Sequence, residues 1–337
     1  MGFVRVADVA AHAGVSPGTV SNFFHNPGRV ADETANRIRA AIDELGYVPN
    51  DAARALRRRE TKTLGHLAFE VANPYSAEFV KAVDREARAL GYTMLNVSSE
   101  GDVKLQRELL ATFARQRVDG ILMSPIGDVS DAARSLSGHG IPLVLTDSVE
   151  GFAASVSYDD EEGARLAASH LLELGHRRVL FVGHSPGNGI VERRLKGVRD
   201  VVAQDPEARL DVVSFDVRSI ANGRRVGEHI AALAPEERPT AIIAVNDLVA
   251  VGVLNGVFHR VRVPDELAIV GFDDIEFASQ AVVPLTSVAR PIDVFARQAV
   301  AMLHERVHSD TGEGDPPLIF LEPKLIVRES TSHLSRS

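Results

Sequence analysis

From Thr63 onward the chain alternates short apolar runs with longer amphipathic ones, and this restricts the fold more than any other feature. The runs at 64–71, 93–98, 120–125, 143–147, 179–183, 212–216, 241–246 and 267–273 read as strands. Between them, 79–90, 104–116, 161–174, 221–233 and 248–259 carry apolar residues at helical spacing, as does 292–307 near the end. Apolar strands alternating with helices imply parallel sheets covered on both faces. The pattern restarts near Asp160, so two similar lobes are expected. Leu45-Gly46-Tyr47, Leu90-Gly91-Tyr92 and Leu174-Gly175-His176 repeat one device: a buried leucine, a glycine that ends a helix, then re-entry. Ligands of open parallel sheets bind beyond the carboxyl ends of the strands. That rule points to Asn73-Pro74-Tyr75, Pro125, Asp147, the loop after Gly183, Asn246-Asp247 and Asp273-Asp274.

The first sixty residues have a different texture. In Val6 to Asn22, Asp8, Val9 and Ala10 lie in an amphipathic first helix and Ala13-Gly14-Val15-Ser16 forms a corner. Gly14 can take the left-handed conformation that ends a helix cheaply. Ser16 suits the cap of a second helix and Pro17 its first position, where the missing N–H costs nothing. Val9, Ala10, Val15 and Val20 can meet across the corner as a minimal core. This is a helix-turn-helix layout, whose second helix enters the DNA major groove. A third helix is expected from Ala31 or Asp32, with Asp32 as a favourable cap, Ile38, Ile42 and Leu45 on its apolar face and Gly46 at its end. Residues 50–57 read as a short helix, marginal in isolation, or as a linker.

Charge supports this division. The whole chain carries 37 Lys and Arg against 46 Asp and Glu, a net charge of −9. The first 62 residues hold nine basic and seven acidic side chains, leaving 28 and 39 for the rest. The head is therefore mildly basic and the body acidic, with Arg54, Arg57, Arg58, Arg59 and Lys62 at the junction; such a run reads as a solvated linker, or, directly after a helix-turn-helix, as a phosphate contact, which its position favours. At 337 residues the chain exceeds one ordinary core, and two or three domains are expected. There is no cysteine, which excludes disulfides, thiolate zinc sites and thiol catalysis. No apolar run reaches the roughly 18 residues of a membrane span, and Met1 leads into the first helix without a secretory pattern. A cytoplasmic location is expected.

The segments D-V-A at Asp8, A-G-V-S at Ala13 and T-V-S at Thr19 resemble the DNA-binding domain of the lactose repressor/galactose repressor family. The likeness continues through Asp32-Glu33-Thr34, 42–46, Tyr47-Val48-Pro49-Asn50 and Ala53-Arg54-Ala55-Leu56, and family features run to about Glu329. The resemblance implies an all-α helix-turn-helix head at 1–49, a hinge helix and linker at 50–62, and a two-lobed, periplasmic-binding-protein-like α/β core at 63–330. It places Ser16, Pro17, Gly18, Thr19, Ser21, Asn22, Asn50, Ala53, Leu56 and Arg57 on DNA. In the family the hinge helix folds on DNA, and the leucine matching Leu56 wedges into the minor groove, which unstacks a base step and bends the duplex. Pro17 and Gly18 depart from the family, because these two positions often carry base-reading side chains. Asn22 can pair with adenine for about 1–3 kcal/mol of discrimination, whereas Ser16, Thr19 and Ser21 suit phosphates.

The expected effector contacts are Tyr75, Asp147, Arg194, Arg218, Asn246, Asp273 and Arg290, of which the resemblance implies Arg194, Asn246 and Asp273. From the residues alone, Asp273 suits vicinal hydroxyls or ring N–H groups, or else a helix cap. Tyr75 suits stacking on a sugar or base, or packing within its lobe. Arg194 reads as a cleft residue or a solvated helix residue. The family's N-D pair aligns with Asn246 and Asp247.

Two motifs compete with this reading. Gly183-His184-Ser185-Pro186-Gly187 matches the nucleophile-elbow pattern G-x-S-x-G. The elbow, however, needs the N–H of the residue after serine, and Pro186 has none. His304-Glu305-Arg306-Val307-His308 matches H-E-x-x-H, a zinc-hydrolase pattern when a third ligand is present, with Glu329 the conceivable third. Gly187-Asn188-Gly189 lacks the remaining spacing of a dinucleotide loop. The expectation is a DNA-binding regulator without enzymatic activity or cofactor. Its partners would be a pseudo-palindromic operator, a small polyhydroxy ligand and a second copy of the chain; no leucine-repeat tail follows Ser330, which favours a dimer. The alternatives are a solute-binding protein and a metal-dependent hydrolase.

Overall fold

The computed structural model describes residues 4–47, 60–215, 217–309 and 316–332. Asn50, Ala53, Leu56 and Arg57 of the expected hinge lie outside the described residues. The chain separates into two compact units, one ending at Thr61 and the other beginning at Lys62.

In the first unit, α1 (Val6–Ala13) and α2 (Pro17–His25) flank the corner, a 3-10 turn (Pro27–Arg29) follows, and α3 is Asp32–Leu45. Gly14 is left-handed at φ 64°. The Ser16 Oγ accepts from the Thr19 N–H at 3.1 Å, fixing the start of α2. Val9, Val20 and Ile38 are fully buried, with Ala10, Ala13, Ala41 and Tyr47 around them. The start of α3 differs from the expectation. Ala31 holds the cap position without a side-chain bond, and Asp32 is the first helical residue. There its charge faces the positive end of the helix dipole.

The second unit holds two six-stranded sheets built on one plan. The first contains β1 (Thr63–Ala68), β2 (Thr93–Ser98), β3 (Gly120–Met123), β4 (Leu143–Thr146), β5 (Ala154–Tyr158) and β11 (Leu318–Leu321). Its order is β11-β5-β4-β3-β1-β2, all parallel. The second contains β6 (Arg178–His184), β7 (Arg209–Ser214), β8 (Ala241–Ala244), β9 (Ala268–Asp273), β10 (Thr286–Ala289) and β12 (Lys324–Ile326). Its order is β12-β10-β9-β8-β6-β7, parallel except for β12 against β10. The chain crosses between the lobes after β5, after β10 and after β11. These crossings put Asp159-Asp160 and Arg290-Pro291 at the joint.

The helices that matter for the joint are α4 (Pro74–Ala89), α7 (Asp160–Glu173), α8 (Gly189–Val202), α9 (Ile220–Ala232), α10 (Asp247–Val257) and α12 (Ile292–His308). The last returns from the second lobe to cover the first. Its Phe295 stacks on Phe79 of α4 with ring centroids 4.8 Å apart and meets Tyr158 edge-on at 4.9 Å. In the second lobe α9 and α10 touch backbone to backbone. A Cβ added at Gly227 would lie 2.3 Å from the Val253 carbonyl oxygen, and one at Gly256 would lie 2.3 Å from that of Arg224.

Two further expectations are corrected. Leu90 and Leu174 are exposed, so it is not the leucine that each helix end buries. The residue after the glycine turns back instead: Tyr92 and Tyr47 are buried, and their N–H groups bond to the carbonyls of Ala87 and Ile42. The first strand stops at Ala68, because Phe69 and Glu70 leave the ladder to line a cleft.

Candidate functional site

A cleft of about 570 Å³ opens in the second unit beyond the carboxyl ends of β1, β4 and β9. Tyr75, Asp147, Arg194, Arg218, Asn246, Asp273 and Arg290 all line it. Local structure places each of them. Asp147 follows β4 and Asp273 ends β9, both with left-handed backbones, at φ 60° and 95°. Such a conformation is uncommon for a residue with a Cβ, and aspartate tolerates it better than most. Asn246 caps α10, its Oδ1 accepting from the Val249 N–H at 3.0 Å, which leaves its NH2 group as donor. Asp247 beside it is a scaffold residue. Fully buried, it accepts from the Ser287 hydroxyl at 2.6 Å and the Ile275 N–H at 2.9 Å.

The joint between the lobes is a buried ionic network. Arg290 pairs with Asp147 of the first lobe and, at 3.3 Å, with Asp273 of the second. Its guanidinium lies 4.7 Å from the ring centres of both Tyr75 and Tyr158. Tyr75 is buried with Arg290 against its ring, and it lines the cleft. Arg194 is buried, not solvated. Its Nε donates to Asp160 at 3.0 Å, its Nη1 donates to the Val245 carbonyl, and its Nη2 lies 3.6 Å from Asp273. Arg193 donates to the other oxygen of Asp160 at 2.9 Å. Sequence reasoning missed Asp160, which stands where the chain first crosses between the lobes.

Electrostatics follow from this wiring. Burial pushes the Asp160 carboxyl up, but Arg194, Arg290 and Arg193 outweigh it and hold the group below its ordinary range. Asp147 is raised, because its burial outweighs Arg290. Burial works against the charge of Arg290, yet Asp147 and its neighbours leave it more firmly protonated than an ordinary arginine. Removing one member of such a network strands a buried charge, typically at a cost of about 3–5 kcal/mol.

His66 is a second residue that sequence reasoning missed. It is fully buried on β1, lines the cleft and meets Phe79 edge-on. Its Nδ1 lies 2.9 Å from the Asn96 Oδ1, which assigns the proton to Nδ1 and leaves Nε2 a buried acceptor without a partner. Burial lowers its pKa to about 4, against the Asn96 bond that favours the proton.

Residues 5–50 match the bacterial regulatory proteins, lacI family, and residues 168–331 match the periplasmic binding protein-like domain. The chain is 31% identical over 342 residues to the HTH-type transcriptional repressor PurR of Photobacterium profundum, covering 98% of this chain and 99% of that one. The chain belongs to the lacI family. Among solved structures, the lac repressor dimer bound to operator and the anti-inducer ONPF shares its fold, with a TM-score of 0.84, 23% identity, and coverage of 98% and 99%. A LacI family transcriptional regulator from Lactobacillus casei with bound glucose superposes with a TM-score of 0.71 at 26% identity, covering 80% of this chain and 99% of that one.

This lacI-family protein is accordingly a transcriptional regulator that joins a helix-turn-helix head to a ligand-binding domain. On α2, Ser16, Pro17, Gly18 and Asn22 are exposed, and Thr19 and Ser21 are half-buried. The Ser16 Oγ is engaged with both the Thr19 N–H and, at 2.9 Å, the Thr19 Oγ1. Of the two competing motifs, the first carries a histidine engaged at both ring nitrogens. His184 lies 3.1 Å from the Ser214 Oγ and 3.0 Å from Glu192. The His308 Nδ1 is bonded to the backbone oxygen of His304 at 2.8 Å. Among the described residues no group of three metal-ligating side chains gathers, and Glu329 belongs to a segment held by Ile269 and Thr286 of the second lobe. Among the described residues, no helix is long and apolar enough to cross a membrane.

Proposed function

We propose that this regulator is a repressor whose operator affinity is set by a sugar or related polyhydroxy compound bound between its lobes. The observation that carries the proposal is the seating of Arg290 between Asp147 of one lobe and Asp273 of the other, at the wall of the cleft. A hydroxylated ligand that engages either carboxylate acts on the joint itself. The glucose-bound relative supports the ligand class. The operator-bound dimer makes a homodimer on a pseudo-palindromic site the natural arrangement. In this reading residues 1–49 read DNA, 50–62 form the hinge and 63–330 sense the ligand, in the cytoplasm. Asn22 reads a base edge, Ser16, Thr19 and Ser21 meet phosphates, and Leu56 enters the minor groove with Asn50, Ala53 and Arg57 beside it. The cleft residues Tyr75, Asp147, Arg194, Asn246, Asp273 and Arg290 hold the ligand, with Arg218 on its rim.

A pair of variants tests the division of labour. Operator DNA is selected from a random duplex pool, and ligands are found by thermal shift with a sugar panel. Leu56→Ala weakens operator binding about tenfold or more while the ligand affinity stays near normal. Asp273→Asn keeps the shape of the site and removes the charge, and it abolishes the ligand response while operator binding persists. Full operator affinity in the first variant, or an unchanged ligand response in the second, counts against the assignment.

A further inference from the structure

The four arginines of the cleft are not equivalent. Arg193, Arg194 and Arg290 are matched by Asp147, Asp160 and Asp273, three charges against three, all within ion-pair distance. Arg218 stands apart. It lies just before α9 on the second lobe, half-buried, with its guanidinium 5.6 Å from the ring centre of Phe69 on the first lobe. Among the described residues no carboxylate lies within ion-pair distance of it and no acceptor is bonded to it. Glu70 exerts only a longer-range attraction, which does not offset the burial that weakens Arg218's hold on its proton; Arg290, better compensated, is shifted the opposite way. The same cleft is lined by the first turn of α8, whose backbone N–H groups and positive dipole end favour negative charge. The donor inventory leans the same way. The Nε groups of Arg193 and Arg290 are buried without partners, and a guanidinium offers five N–H donors and no acceptor.

We propose that the effector is an anionic carbohydrate, whose carboxylate or phosphate pairs with Arg218 while its hydroxyls engage Asp147 and Asp273. This deepens the function proposed above and rests on it. Arg218 is the specificity-determining residue that separates the charged ligand from its neutral parent. An anion at this position supplies a counter-charge that no described carboxylate brings within ion-pair distance, and the planar guanidinium fork matches either oxyanion.

The test is calorimetry of the full-length protein against matched sets: glucose, glucuronate and glucose 6-phosphate; galactose, galacturonate and galactose 6-phosphate; and inorganic phosphate alone. At least one charged sugar is expected to bind about tenfold or more tightly than its neutral parent. A uronate or a phosphate ester as that ligand supports the proposal equally, and identifies the anion. Arg218→Gln reduces that affinity about tenfold or more, Arg218→Lys restores part of it, and the melting temperature of each variant reports its folding. Arg224→Gln removes the same charge from an exposed pair with Glu228 on α9 and leaves the affinity unchanged. The proposal is overturned if the neutral sugars bind as tightly as the charged ones, if Arg218→Gln and Arg224→Gln behave alike, if inorganic phosphate alone binds as tightly as any sugar, or if no charged sugar binds. A neutral ligand that still governs operator binding would sink this inference and leave the function standing. Failure to select any operator would remove the function whatever the calorimetry gives.

Discussion

His66 shows how much a single side chain on the cleft floor is held to one state. Its folded pKa of about 4 lies below the ordinary 6.5, so the fold favours the neutral ring. Between those two pH values the unfolded chain binds a proton that the folded chain refuses. The stabilisation is therefore complete above about pH 6.5 and is lost as pH falls through the folded pKa, by roughly 3 kcal/mol in all. Urea titrations from pH 7 to pH 4 are expected to show a steeper loss for the native chain than for His66→Leu; parallel curves would refute the buried neutral ring. Arg194 shows what the sequence makes legible at this scale. Val191, Leu195 and Val198 define the buried face of α8, and Arg194 lies on that face, one turn from Val191 and Val198. That phase separates it from a solvated arginine, but the sequence reading did not use it, and only the family resemblance favoured the cleft. Asp160 carried no such signal. Asp159 and Asp160 are adjacent and chemically identical, yet the first caps α7 through the Glu162 N–H and the second is buried under two arginines. Only the crossing between lobes separates their roles, and that is a property of the tertiary fold.

At the scale of elements, the alternation of apolar strands and amphipathic helices specifies two parallel sheets, because only strands buried on both faces can dispense with polar alternation. Its boundaries were legible where a turn residue marks them, as at Gly14 and Ser16, and less so at the cleft, where Phe69 and Glu70 continue the composition of β1 without its hydrogen bonds. The strand Ala154–Tyr158 escaped the reading because its serines, Ser155 and Ser157, are polar yet fully enclosed, bonded to backbone carbonyls. The contact between α9 and α10 is equally invisible to hydrophobic patterning, since its essential residues are glycines. Gly227→Ala forces a methyl group against the Val253 carbonyl, and backbone cannot step aside as a side-chain tip can. The variant is expected to lose about 1–3 kcal/mol of stability in urea denaturation; an unchanged midpoint would mean that the two helices do not approach so closely.

At the scale of the whole molecule, a head that reads DNA and a cleft that binds a ligand make a switch only if each favours the same one of two states. A ligand of equal affinity for both states changes nothing, however tightly it binds. We place the change between those states at the ionic network of the joint. Arg290 and Asp273 are buried and Asp147 is half-buried beside them, so that a motion of one lobe against the other would bear on both ion pairs of Arg290. Coupling of this kind is reciprocal: whatever factor the ligand imposes on operator affinity, the operator must impose on ligand affinity. The most direct test is a calorimetric titration of the cleft ligand into the full-length protein, with and without saturating operator duplex. The ligand dissociation constant is predicted to change by a factor of about 5–150 between the two titrations, matching the change that the ligand makes in operator affinity. The same dissociation constant in both titrations would contradict the account.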